Sequence, residues 1–290
     1  MPVFRPQEYI TPTALSEALS ILQENGDRAK IVAGGTQVYE TAMRGMIAQA
    51  EKIVDIEKLG LSYIKEDNGH VRIGAATTFT EILDSTLLEK VCPLMVDAVN
   101  HIRPLQVRNA ATVGGSICSG LPVFDIPTTL LALDARVKAV SSKGERSLDL
   151  GGFFLDYFLT ELKPTELLTE IEIPKLSADT KTAFMKLERT YVDLPTVNTA
   201  VKLTLEGGKC KVARIALGGV ARVPIRAKKA EKRLEGKGLT DGSIGDAAEE
   251  TAKEVKPIGS IHASAEYKRE MCMVLVKRAL TKAAGKVSGG

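Results

Sequence analysis

Residues 30–45 read KIVAGGTQVYETAMRG and residues 108–135 read RNAATVGGSICSGLPVFDIPTTLLALDA. Each stretch has a glycine pair followed by a hydroxyl residue, Gly34-Gly35-Thr36 and Gly114-Gly115-Ser116, just after a short apolar run. Glycine after a strand lets the backbone approach a ligand closely and adopt positive φ, so that amide N–H groups point into a concavity. Where a helix begins at the same place, its positive end adds attraction for phosphate. Two such loops, about eighty residues apart, suit a pyrophosphate held from both sides. Neither loop is GxGxxG or a P-loop, so the common nucleotide fingerprints are absent. With 25 glycines in the chain, plain turns remain the alternative.

Two charged residues could complete such a site. Asp125 follows the second loop, where a carboxylate can accept hydrogen bonds from sugar or ribityl hydroxyls. It also fits a helix N-cap, since Pro127 and an apolar run come next. Lys186, in AFMKLER, lies between the two halves of the chain and would stabilise negative charge on a reduced isoalloxazine ring. Its alternative is an exposed lysine at a strand end.

Other chemistries find little support. His70, His101 and His262 are scattered, and Cys92, Cys118, Cys210 and Cys272 form no CxxC pair. These spacings suit neither zinc nor an iron–sulfur cluster, and point to four reduced, mostly buried thiols. A net charge of +3 and 4% aromatic content argue against a nucleic-acid surface. The opening MPVFRPQEYITP has no secretory h-region, and no apolar run is long enough to span a membrane. A cytoplasmic protein is expected.

The elements that must position these residues alternate between strand and helix. Thr11-Pro12 reads as a cap and first turn, followed by Leu15, Ala18, Leu19 and Leu22 at helical spacing and a stop at Gly26. KIVA, EKIVDI, HVRIGAAT, RVKAVSS and LLTEIEIP read as strands, and TFTEILDSTLLEKVCPLMVDAVNHI as helix broken near Pro93. That order predicts an α+β or α/β fold. Beyond Pro174 the polar PKLSADTKTA marks a boundary. VNTAVKLTL and CKVARIALGG alternate around EGGK as a hairpin, with Val197, Val201, Leu203 and Leu205 facing one side. RAKKAEKRLEGK and SAEYKREMCMVLVKRALTKAAG read as helices, the second ending at Gly285. The expected division is 1–176 (subdomains of about 1–58 and 59–176), 177–285, and a disordered tail at 286–290.

Five stretches together carry a family resemblance: IVAGGTQ; QVRNAATVGGS with DIPTTLLALDA; ELLTEIEIP; MKLERTYVDLPTVNTAV; and ALGGVARVPIRAKKAEKRLEGK with HASAEYKREMCMVLVKRAL. In order and spacing, from about residue 3 to 284, the chain resembles the FAD-binding medium subunit of the molybdenum hydroxylases, the xanthine dehydrogenase and carbon monoxide dehydrogenase family. The resemblance implies an α+β protein. It would have a two-subdomain FAD-binding domain of the PCMH or vanillyl-oxidase-like type, then a small α/β domain of the CO dehydrogenase flavoprotein type. It implies that Ala33, Gly34, Gly35, Thr36 and Gln37 line one phosphate loop, flanked by Ile31, Val32 and Val38. Thr112, Val113, Gly114, Gly115 and Ser116, preceded by Ala111, would form the other. Asp125 would meet the ribityl or phosphate-linked hydroxyls, Ile102 and Leu168 would lie by the flavin, and Lys186 would approach its polar edge. No residue would act as acid, base or nucleophile, and no metal would be bound.

The same resemblance implies partners: a molybdopterin-binding large subunit and a small subunit with two two-iron two-sulfur clusters. Electrons would leave to NAD, oxygen or a quinone-type acceptor. The chain departs from the family pattern at Ser116, where Asn or Asp is usual, and at Gln37, often Asp. It also has a single Arg189 where an arginine pair is common, and Pro195 in place of alanine. Two other functions fit a related fold: a self-contained FAD oxidase and a flavin-free structural subunit. The short second half and the scattered histidines weigh against the first, and the intact glycine loops against the second.

Overall fold

The computed structural model of the chain describes residues 5–286. It contains three packed units. The first has β1 (Glu8–Ile10), α1 (Leu15–Asn25), β2 (Ala29–Val32), α2 (Val38–Met43) and β3 (Lys52–Asp55), with the strands parallel in the order β1-β3-β2. Ala18, Leu19 and Leu22 put the buried stripe of α1 on this layer, as their spacing predicts. The helix does not begin at Thr11-Pro12. Ala14 is the N-cap, and the Glu17 carboxylate accepts from the Thr13 amide in place of a capping side chain. The residue before a proline is driven toward extended backbone, which keeps Thr11 out of the helix.

The second unit is a mainly antiparallel sheet wrapped by short helices. Its strands are β4 (Ile64–Asp67), β5 (His70–Gly74), β6 (Arg136–Ser141), β7 (Gly144–Asp149) and β10 (Leu167–Pro174), in the order β4-β5-β10-β6-β7. The helices are α3 (Phe79–Leu83), α4 (Thr86–Val91), α5 (Pro93–Asn100), α6 (Leu105–Ala110), α7 (Val113–Cys118), α8 (Asp125–Ala132) and α9 (Leu150–Phe153). A small hairpin, β8 (Phe154–Asp156) and β9 (Leu159–Thr160), leans on the Gly120 loop through a Phe158 N–H to Gly120 carbonyl bond of 3.1 Å. The antiparallel pairing decides for α+β over α/β. The helical run after Thr78 breaks twice, at Ser85 as well as at Pro93, because Ser85 caps α4.

The third unit is a four-stranded antiparallel sheet, β11 (Thr180–Leu187), β12 (Val197–Glu206), β13 (Lys209–Gly218) and β14 (Ile225–Arg226). Behind it lie α10 (Lys228–Leu234), α11 (Asp241–Glu254) and α12 (Ala265–Ala283). The expected hairpin forms, with Val201 opposite Ile215 and Leu203 opposite Ala213, and its register shifts between Thr204 and Leu205. This face packs on Cys272, Val276 and Leu280 of α12. The opposite face carries Phe184, Ala200 and Ala216, which join the core of the second unit. The sheet is therefore covered on both sides.

Of the tail expected at 286–290, residues 287–290 lie outside the described residues. Lys286 itself is held by a 2.6 Å bond to Asp241. No helix among the described residues is long and apolar enough to cross a membrane.

Candidate functional site

All three units border one cavity of about 680 Å³, within the range typical of cofactor sites. Its first wall is the turn from β2 to α2. Gly35 adopts φ +68°, in the left-handed region that favours glycine. A β-carbon on Gly34 would lie 1.4 Å from the Ala110 carbonyl oxygen, so the loop can sit against the α6–α7 link only with glycine there. The amides of Gly34, Gly35, Thr36 and Gln37 donate to no protein acceptor among the described residues, and the next amide, Val38, turns back onto the Gly35 carbonyl at 3.0 Å. Successive free N–H groups in a concave loop are an anion cradle. Gln37 turns its side chain to Glu40 at 3.0 Å. Ile31, Val32, Ala33, Thr36, Gln37 and Val38 all line the cavity.

The second glycine loop differs in kind. Thr112 caps α7, its hydroxyl accepting from Gly115 N–H at 3.1 Å. The Val113 amide donates to the Thr77 carbonyl, Gly114 to Ala75, and Ser116 to Thr112. These amides are committed to the protein, so a pyrophosphate held by backbone N–H groups from both sides is not what the geometry offers. Gly114 is needed for packing: its β-carbon would lie 2.7 Å from both Cβ and O of Ala75. Ala111, Thr112, Gly114, Gly115 and Ser116 border the cavity, and the Ser116 hydroxyl has no protein partner among the described residues. Val113 does not border it. Its side chain is fully buried in the core of the second unit, because it starts a helix whose apolar side faces the sheet.

The far wall joins the second and third units. Asp125 is the first residue of α8 rather than its cap, a place taken by Phe124. Its buried carboxylate accepts from Asn198 Nδ2 at 2.6 Å and lies 3.3 Å from Lys186 Nζ. Burial pushes the Asp125 carboxyl above its ordinary range, against the opposing pull of Lys186 and Asn198. Lys186 is not an exposed strand-end lysine: its side chain is 4% accessible, with Glu188 at 3.0 Å. It also donates to the His101 carbonyl at 3.1 Å. Ile102 and Leu168 border the same space, Leu168 beside a register shift in the β10–β6 pairing.

Several bordering residues were not expected from the sequence: Lys30, Arg103, Phe158, Lys163 and Val192 to Leu194. Arg103 stacks on Tyr191 at 4.6 Å. Phe158, at φ +57°, is a bulky residue in a backbone region that such residues rarely occupy. Lys30 and Val192 to Leu194 fall inside stretches singled out in the sequence and Arg103 follows the expected Ile102, whereas Phe158 and Lys163 carried no such signal.

The glycine cradle, the unpartnered Ser116 hydroxyl and the Asp125–Lys186 pair fit a dinucleotide with a charged middle and a hydroxylated chain. Comparison with known proteins gives the family. Residues 4–176 match the FAD binding domain in molybdopterin dehydrogenase, and residues 182–283 match the CO dehydrogenase flavoprotein C-terminal domain. The carbon monoxide dehydrogenase medium chain of Hydrogenophaga pseudoflava is 33% identical over 95% of this chain and 96% of its own length. The alpha subunit of the 6-hydroxypseudooxynicotine dehydrogenase complex of Paenarthrobacter nicotinovorans is 32% identical over 95% and 94%. A solved structure of the Hydrogenophaga pseudoflava carbon monoxide dehydrogenase superposes with a TM-score of 0.94 at 33% identity, covering 98% of this chain and 99% of that one. The chain belongs to the family of FAD-binding medium subunits of the molybdenum hydroxylases.

Proposed function

We propose that this chain holds FAD in the three-walled cavity and works beside a molybdopterin-binding large subunit and a small subunit with two two-iron two-sulfur clusters. The external acceptor would be NAD, oxygen or a quinone-type carrier. The single observation that carries the FAD site is the run of free amides from Gly34 to Gln37 opening into the cavity. Bound there, FAD supplies a carrier that accepts electrons singly and releases them singly or in pairs.

The chain's residues have distinct tasks in this reading. The cradle amides and the Thr36 hydroxyl bind the pyrophosphate. The Ser116 hydroxyl adds a donor from the opposite wall, while Gly114 lets α7 come close enough to place it. Asp125 accepts from the hydroxylated chain. Lys186 brings a fixed positive charge to the ring's polar edge, while Ile102 and Leu168 exclude water from its faces. No side chain is assigned proton transfer or nucleophilic attack.

The domain division at 1–176 and 177–285 belongs to the same reading, supported by the change from one sheet to the next between Pro174 and Thr180. A cytoplasmic location is also part of it, to be checked by cell fractionation.

The experiment is a titration of the purified chain with FAD, followed by flavin fluorescence. Binding near one equivalent, lost in Gly34→Val, is the expected result. No binding by the chain alone or after reconstitution with its partners would overturn the assignment. Oxidation of an organic substrate by the chain alone would favour the self-contained oxidase instead.

A further inference from the structure

Lys186, Asn198 and Gly218 lie on one rung across three neighbouring strands, Lys186 opposite Asn198 and Asn198 opposite Gly218. The rung is on the sheet face that packs against the second unit. Asn198 is fully buried. Its Nδ2 reaches across the boundary to Asp125 Oδ1 at 2.6 Å and to the Val123 carbonyl at 3.2 Å. Its Oδ1 has no hydrogen-bond partner among the described residues. An orphaned buried acceptor costs free energy, and a leucine of similar shape would avoid that cost. Keeping the carboxamide makes sense only if its donor end is needed. Gly218 makes room for it: a β-carbon there would lie 2.2 Å from Asn198 Oδ1 and 2.5 Å from Thr128 Oγ1.

We infer that Asn198 is a positioning residue of the cofactor site, fixing the Asp125 carboxylate from the other domain so that its remaining lone pairs face the cavity. A carboxylate has about four acceptor sites. Asn198 occupies one on Oδ1 and the Lys186 ammonium stands 3.3 Å from Oδ2, which together fix the rotation of the carboxylate about the side-chain bonds. The C-terminal domain thereby sets the geometry of a contact borne by the N-terminal domain. This rests on the reading that Asp125 faces the bound cofactor.

The test is FAD titration of the full-length chain at pH 6 and pH 8, read by flavin fluorescence, with Asn198→Asp, Asn198→Ser and Asp125→Ala. In Asn198→Asp two carboxylates must share a proton at hydrogen-bond distance. Binding is expected to weaken about tenfold at pH 8 and to recover at pH 6. Asn198→Ser, too short to reach Asp125, should weaken binding at both pH values without recovery. Lys186 on β11 and His101 after α5 act on the same carboxylate, and Glu188, just past β11, meets Lys186 at 3.0 Å; all three are unchanged in every variant, so the difference from wild type is what is read. Should Asn198→Asp not fold, as judged by circular dichroism, the serine variant decides by the same loss. Wild-type affinity in the Asn198 variants with weakened Asp125→Ala overturns the inference and leaves the Asp125 reading standing. Wild-type affinity in Asp125→Ala overturns both.

Discussion

Gly34 and Ala110, from different units, meet backbone to backbone: a β-carbon on Gly34 would stand 1.4 Å from the Ala110 carbonyl oxygen. This contact holds the free-amide loop against the segment leading into the second glycine loop. Gly34→Ala should therefore push the loops apart and cost more than about 2 kcal/mol, since the obstacle is backbone and cannot swing away. FAD affinity should fall with it. Urea unfolding and flavin titration on the same variant check both effects, and an unchanged midpoint would show that the loops yield freely.

Lys186→Met should leave the Asp125 carboxylate buried without its cation. Burial already holds that carboxyl above its ordinary range, with Lys186 opposing. Removing the lysine raises it further. A carboxyl raised in the folded state is stabilising, relative to its ionised form, below its unfolded value near about 4, and that advantage is lost as pH rises through the folded value. The variant should lose about 3 kcal/mol at pH 8 and much less at pH 4. Equal losses at both, measured by urea unfolding, would point to lost packing of the lysine stem instead.

Asp134, just past the Leu133 C-cap of α8, adopts φ +54° and ties the second unit to the third, meeting Lys202 at 2.6 Å, Arg214 at 2.9 Å and Arg226 at 2.8 Å. Burial would raise its carboxyl, but bonds and charge from Lys202 and Arg214 outweigh it and hold the carboxyl below the ordinary range. Its stabilisation is therefore present above the unfolded value near about 4 and is lost as pH falls through the folded value. Asn tolerates the left-handed region, so Asp134→Asn removes charge without backbone strain. A loss of about 3 kcal/mol at pH 7 is expected, narrowing as pH falls below about 4. Thermal melts of both proteins across that range measure it.

The four cysteines are free thiols, and burial pushes Cys92, Cys118 and Cys272 up to about 12 and Cys210 to about 11. At pH 8 the thiolate fraction is then small, and thiolate is the reactive form. Iodoacetamide should label the native chain slowly and all four cysteines once it is unfolded in urea. Mass spectrometry of the two samples distinguishes this from a reactive thiol in the native fold.

The glycine loops were legible because their signal is local. Positive φ at Gly35 and backbone contact at Gly34 are demands on single residues, and the residue types answer them directly. The hairpin was legible for a related reason: Val201, Leu203, Ala213 and Ile215 alternate, and a period of two fixes which residues share a face. What covers the other face is not encoded in that period. Lys186, Asn198 and Lys202 occupy positions that a half-buried sheet would give to solvent, yet they meet Asp125 and Asp134 across the domain boundary. Likewise, sequence placed a glycine pair at 114–115 but could not say that Thr77, Ala75 and Thr112 claim the nearby amides. Local chain geometry determined where the loops and strands fall. Only the docking of one unit on another decided which amides stayed free and which carboxylate found a lysine, because those partners come from segments distant in sequence and meet only once the chain has folded.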